Sequence, residues 1–179
     1  QELRLKEKDA DVARVTEENI QLRVAATKGK TPPADVLRTI IRSDELGLSW
    51  AKKRVSEFDF IMVAVSPAYA RQFLGGPPEI YEGRRDREIW PEDIAAAFIA
   101  NDEEVFKTQT GLSVRERVEG SRTNAAGWFV GRKFSVRLAD GCDYLVGIGD
   151  LYTDDDETPA QIRKDGWIGA QSHKPPLLK

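Results

Sequence analysis

One strand-length run limits the folds open to this chain. Phe58 to Val65 reads F-D-F-I-M-V-A-V, with apolar residues on both parities. Phe58, Phe60, Met62 and Ala64 share one face; Ile61, Val63 and Val65 share the other. A strand with two apolar faces must be covered on both sides. A string of helix starts and stops comes directly after it. Ser66 offers an N-cap oxygen and Pro67 fits a first helical turn. Gly75-Gly76 ends that piece. Pro77-Pro78-Glu79 opens another turn, which Gly83 closes. Trp90-Pro91-Glu92-Asp93 then begins a long helix, with acids where the helix dipole favours them. The stretch from Val65 to Ala95 therefore reads as strand, short helical pieces, then one long helix.

The rest of the chain supplies partners for that strand. Leu48 to Val55 is expected to be a first strand. The long helix should run from Pro91 to Thr110, with Ile94, Phe98 and Val105 on one stripe and Gly111 as its stop. Leu112 to Val118 reads as a strand, and 119–127 as a polar loop. Trp128, Val130, Arg132, Phe134, Val136 and Leu138 alternate along a further strand. Asp140-Gly141 is a hairpin turn leading into a last strand, Asp143 to Leu151. At the other end, Gln1 to Lys28 is helical in pattern. Leu5, Val12, Asn19 and Ala26 fall seven apart, and Val15 and Leu22 complete an a/d spacing. This fits a coiled-coil seam, with Asn19 as the register-fixing polar residue. The competing reading is an amphipathic helix lying on its own domain. Gly29 to Pro33 is a linker, and Ala34 to Leu46 a short amphipathic helix.

These pieces resemble the PAS domain family. The similarity lies in S-P-A-Y-A-R after the second strand and in E-G-R-R-D-R-E-I-W-P-E before the long helix. It continues in W-F-V-G-R-K-F-S-V-R-L-A-D-G and in the closing G-I-G-D-L-Y-T-D. In that closing signal Asp150 and Thr153 are separated by two residues, where the family has one. The resemblance implies an α+β fold: a five-stranded antiparallel sheet with helices on one face, preceded by a long N-terminal helix. The implied organisation is residues 1–28 as a coiled-coil helix, 29–47 as linker and short helix, 48–154 as the PAS-like domain and 155–179 as a tail. The tail carries a capping-box start at Thr158. The implied function is a sensory or regulatory module that binds a small molecule or partner and signals through its helix. The alternative is a dimerising scaffold with a filled core and no ligand.

Residue chemistry narrows this further. With 179 residues and a net charge of −3, there is no general basic field for nucleic acid. No apolar run approaches the ~20 residues of a membrane span. We therefore expect a cytoplasmic chain, although opening on Gln1 leaves room for a preceding anchor. The one histidine, His173, lies in the tail, which argues against Ser–His or Cys–His catalysis, His-held haem and zinc sites. Cys142 sits beside a hairpin and not in the Asn-Cys-Arg setting of the family's flavin-binding light sensors. The cofactor is left unknown, and no enzyme is expected. Asp154 to Glu157 lacks the spacing of a calcium loop. Gly147-x-Gly149 lacks the context of a phosphate cradle.

The aromatics remain. Phe60, Met62, Tyr69, Phe73, Trp90, Phe98, Trp128, Arg132 and Phe134 are the expected ligand-facing residues, with Ala95, Ala96 and Ala97 leaving room for a cavity. A simply filled core fits the same residues. Arg132 is either paired internally with a carboxylate such as Asp86 or Glu88, turned outward by a bulge at Gly131, or an anchor for an anion. A homodimer would use Val12, Val15, Asn19, Leu22 and Ala26, together with Ile61 and Val63 on the outer face of the second strand.

Overall fold

The computed structural model describes residues 2–43, 45–109, 111–119 and 126–152. Two helices come first, α1 (Glu2–Ala26) and α2 (Pro33–Arg42). Strands β1 (Leu48–Ser56) and β2 (Asp59–Val65) form a hairpin. Then come α3 (Pro67–Tyr69), a π turn over Ala70–Leu74, a 3₁₀ turn over Pro78–Tyr81, α4 (Asp86–Ile89) and α5 (Glu92–Thr108). Strands β3 (Leu112–Glu119), β4 (Ala126–Arg137) and β5 (Asp143–Tyr152) close the chain's described part. The strand order is β2-β1-β5-β4-β3, antiparallel throughout. This is the expected five-stranded α+β architecture. The tail helix from Thr158, Thr153 of the closing signal, and residues 120–125 fall outside the described residues.

Local signals place the helical pieces as the sequence predicts. The Ser66 hydroxyl accepts from the Tyr69 N–H at 3.2 Å, capping α3. Gly75 stops the π turn with φ of 70°, a left-handed geometry glycine adopts without strain. The long helix ends earlier than expected. Gln109, at φ 52°, makes the left-handed stop in place of Gly111.

The sheet is buried on both faces. One face packs against α3 to α5, through Trp50, Met62, Val65, Phe129 and Leu145 among others. The other packs against α1 and α2, through Ala51, Val63, Ala64, Phe134, Val136, Tyr144, Val146 and Ile148. Two sequence expectations change here. The β1–β2 register shifts between Ala51 and Lys52. The alternation of β2 therefore slips near its end: Ala64 joins the α1/α2 side and Val65 the α3–α5 side. The second change is in β4. Phe134, Val136 and Leu138 face the N-terminal helices, and the opposite parity, Phe129 and Lys133, faces the interior under α5. Val63, expected in a dimer interface, is buried in the cluster its own α2 helps to form. Ile61 beside it is half-buried.

Candidate functional site

Under α5 the core is not purely apolar. Lys52 lies on β1 between Trp50 and Arg54, and its alternation turns it inward. Its ammonium donates to Asp86 Oδ2 at 2.7 Å and to Asp102 Oδ2 at 2.6 Å. Lys133 on β4 donates to Asp102 Oδ1 and Glu116 Oε1, both at 2.5 Å. Asn101 donates to the same Glu116 oxygen at 2.9 Å. Asp102 is thus the centre, one oxygen on each lysine. All five charged side chains are at most 4% exposed. Three carboxyl groups face two ammonium groups, so with all five ionised the cluster carries one formal negative charge in excess. A second buried acid, Glu103, holds Arg54 at 2.5 Å and accepts the Phe58 N–H at 3.0 Å, anchoring the β1–β2 turn.

Aromatic rings enclose the cluster. The Lys52 and Lys133 ammonium groups lie 4.7 and 5.1 Å from the Trp50 ring centroid. They lie 6.0 and 5.6 Å from that of Phe98. A cation over a ring face is attracted by its quadrupole, so the rings supply the directions the carboxylates leave open. Trp90 stands edge-on to Phe98 at 5.5 Å and to Tyr69 at 6.4 Å.

A small cavity lies in the middle. Trp50, Met62, Tyr69, Trp90 and Phe98 form its apolar wall; Lys52, Asp86, Glu116 and Lys133 form its polar wall. Its volume is about 10 Å³, room for about one water molecule. The cavity that these residues line is water-sized in this structure. One polar atom is left over. Asp86 Oδ1 is buried and has no hydrogen-bond partner among the described residues.

Protonation reflects these contacts. Burial would lower the Lys52 ammonium pKa, but Asp102 and then Asp86 outweigh it and hold it above the ordinary value. Burial raises Asp102, but Lys133 and Lys52 more than reverse this and bring its carboxyl below the usual range. Burial also raises Asp86, and here Lys52 does not compensate, so it stays raised. Burial, and then the nearby Glu116, Asp86 and Asp102 charges, push the Tyr69 phenol well up. The stability consequence has a definite sign. The contribution of Lys52 is complete below the unfolded lysine value of 10.5 and fades as pH rises above it. That of Asp102 is complete above the unfolded value of 3.8 and fades below it. Asp86, being raised, acts oppositely and loses stability as pH climbs from 3.8. We expect the stability difference between the wild type and Lys52→Met, measured by urea unfolding, to shrink from pH 10.5 upward. A difference that stays constant well above that pH would contradict this assignment.

Of the residues expected from sequence, Met62, Tyr69, Trp90 and Phe98 line the cavity. Phe73 is buried behind Tyr69, ring to ring at 5.0 Å. Phe60 pairs with Phe106 at 5.9 Å, away from the cavity wall. Trp128, Arg132 and Phe134 stand on the other parity of β4. Arg117 and Arg115 stack on Trp128, at 5.5 and 3.9 Å. Arg132 is half-buried and donates to the Gly111 carbonyl at 2.9 Å and Ser113 Oγ at 3.4 Å. It meets neither Asp86, which holds Lys52, nor Glu88, which accepts the Arg85 N–H at 2.7 Å. The inward charge of β4 is its neighbour Lys133. Sequence reasoning misses Trp50, Lys52, Asp102, Glu116 and Lys133. A signal is present in α5: Asp102 stands four residues after Phe98 and three before Val105, so a carboxylate sits inside an apolar stripe.

The family model described as PAS fold matches residues 55–151. This chain belongs to the PAS-fold family. No curated protein sequence matches it significantly. Among solved structures, the Vibrio cholerae VqmA dimer, described among LuxR-type receptors, is similar at 23% identity. The match covers 66% of this chain and 52% of that one, with a TM-score of 0.52. VqmA bound to DPO is similar at 22% identity, covering 66% and 58%, again with a TM-score of 0.52. A Rhodobacter sphaeroides LOV protein is similar at 18% identity over 68% of each chain, with a TM-score of 0.50. These likenesses establish the PAS architecture. The chain spans only about half the length of the VqmA chains it matches.

Proposed function

We propose that this PAS domain is a non-catalytic regulatory module that works as a parallel homodimer through α1. The exposed stripe of that helix carries the reading. Val12, Val15, Asn19, Leu22 and Ala26 are all exposed, Leu22 by 70%. Ala13, Ile20 and Val24 of the same helix are buried against the domain. At 100° per residue the two sets point in nearly opposite directions. The helix lies on its own domain with one stripe and presents the heptad stripe outward, which supports a pairing role for the outer stripe. A second copy of the same stripe is the partner its spacing fits. A parallel pair sets Asn19 against Asn19, where the amides can bond each other. Through Ala13, Ile20 and Val24, any shift of the sheet bears directly on the pairing helix.

Output would lie in a partner or in another part of a longer protein. VqmA is named as a dimer with a target DNA and as bound to DPO. We carry over only the principle of a PAS domain in a dimeric receptor; the chain's net charge of −3 does not favour a role in nucleic-acid binding. No helix among the described residues is long and apolar enough to cross a membrane. The scaffold alternative is favoured by the water-sized cavity. Ligand sensing is favoured by the orphaned oxygen of Asp86.

Sedimentation of the whole chain at about 50 micromolar tests the dimer. We expect a dimer that becomes a monomer in Val15→Glu/Leu22→Glu, two exposed positions, with circular dichroism unchanged from the wild type. A wild-type monomer, or a dimer indifferent to the double change, would end this proposal.

A further inference from the structure

The buried charge cluster is unbalanced, and the imbalance points at a guest. Asp86 has two carboxylate oxygens, and Lys52 occupies only Oδ2. Asp86 lines the enclosure, and its Oδ1 has no donor among the described residues, on a side chain 1% exposed. A buried acceptor left unmade is destabilising, and more so when it is charged. The enclosure holds about one water-sized body, at about 10 Å³. Its remaining walls are Met62, the rings of Trp50, Tyr69, Trp90 and Phe98, which can attract cations, and Glu116 with the Lys52 and Lys133 ammonium groups, both already bound to carboxylates. A donor of water size, carrying one positive charge, would answer all three features. It would bond Oδ1, cancel the excess charge and face the rings.

We infer that the cavity is a site for a compact cationic donor, an ammonium ion or the ammonium head of a very small amine, held by Asp86 Oδ1 within the aromatic wall. A carboxylate guest would add to the formal negative excess, since Lys52 and Lys133 are already bound to Asp86, Asp102 and Glu116. Potassium and sodium ions match the charge but have no hydrogen to donate to Oδ1. Guests larger than a water molecule require part of the wall to move outward. Water is the neutral competitor of the same size, and it leaves the excess charge in place.

The inference is independent of the dimer. Sedimentation decides that reading, and a salt series decides this one. The melting temperature of the whole chain is measured at pH 7 and constant ionic strength in ammonium, methylammonium, potassium, tetramethylammonium and sodium acetate salts. We expect ammonium, and to a lesser degree methylammonium, to raise it by about 3–6 °C at ten times the dissociation constant. Potassium, tetramethylammonium and acetate should not raise it. The rise should vanish in Asp86→Asn, which keeps the side-chain shape and removes the charge. In parallel, ¹⁵N-labelled ammonium should give a bound resonance with protons in slow exchange and contacts to tryptophan ring protons. Equal melting in all salts, an unchanged rise in folded Asp86→Asn, or no bound ammonium resonance would each overturn the site. Should Asp86→Asn fail to fold, the salt series and the resonance decide the question on the wild type.

Discussion

Asp102→Asn is expected to lower stability by about 3–5 kcal/mol, the range for breaking a buried ion pair and stranding its partner. Two partners are stranded here. Asp102 gives one oxygen to Lys52 at 2.6 Å and the other to Lys133 at 2.5 Å, with no exposed surface. An asparagine keeps one acceptor and turns an NH₂ donor toward the second ammonium. Asp86→Asn should be milder, about 1–2 kcal/mol, because Asp86 holds one lysine, leaves one oxygen unused and carries the charge in excess. The opposite protonation tendencies of the two acids agree, since the environment favours ionised Asp102 and disfavours ionised Asp86. Urea unfolding of the two variants checks the order. Equal losses, or a greater loss in Asp86→Asn, would show that the excess charge is neutralised by something other than the cluster's own asymmetry.

Much of this fold is legible in the sequence because it rests on short-range rules. Ser66-Pro67, Gly75 and Asp140-Gly141 specify caps and turns from neighbouring residues alone, and each stands where its chemistry puts it. The two-faced apolarity of Phe58 to Val65 states correctly that both sides of the sheet are covered. What covers each side is less legible. Period-two alternation in β4 separates two faces without saying which one looks inward, and both are rich in large side chains. Phe134 and Val136 make as good a core as Phe129, so the inward face has to come from the pairing with β3 and β5. A slip of one residue moves a whole set of side chains across the sheet. That is why alternation alone offers Arg132 as the inward charge when Lys133 is. The bulge beside Ala51 moves Val65 by the same logic. The cluster itself is illegible for another reason. Lys52, Asp86, Asp102, Glu116 and Lys133 come from five separate elements, and no spacing in the chain announces their meeting.

Gly147→Ala should be nearly as damaging, and for a reason that has nothing to do with turns. Gly147 pairs with Trp50 across β1 and β5, and the indole lies over it. A Cβ at Gly147 would meet Trp50 ring atoms at 2.3, 2.4 and 2.8 Å. The ring has nowhere to retreat, since Trp50 is 3% exposed and both lysine ammonium groups sit over its face. Overpacking of this kind costs about 1–3 kcal/mol, and the upper end applies where neighbours are fixed. The emission of Trp50 should shift with the loss of stability, because the ring itself is displaced. The decisive measurement is the double variant with Asp102→Asn. If Trp50 roofs the ion pairs, tilting it already loosens them, and the two losses should fall short of additive by about 0.5–3 kcal/mol. Losses that add within about 0.5 kcal/mol would mean that the indole fills space beside the cluster and contributes nothing to holding its charges.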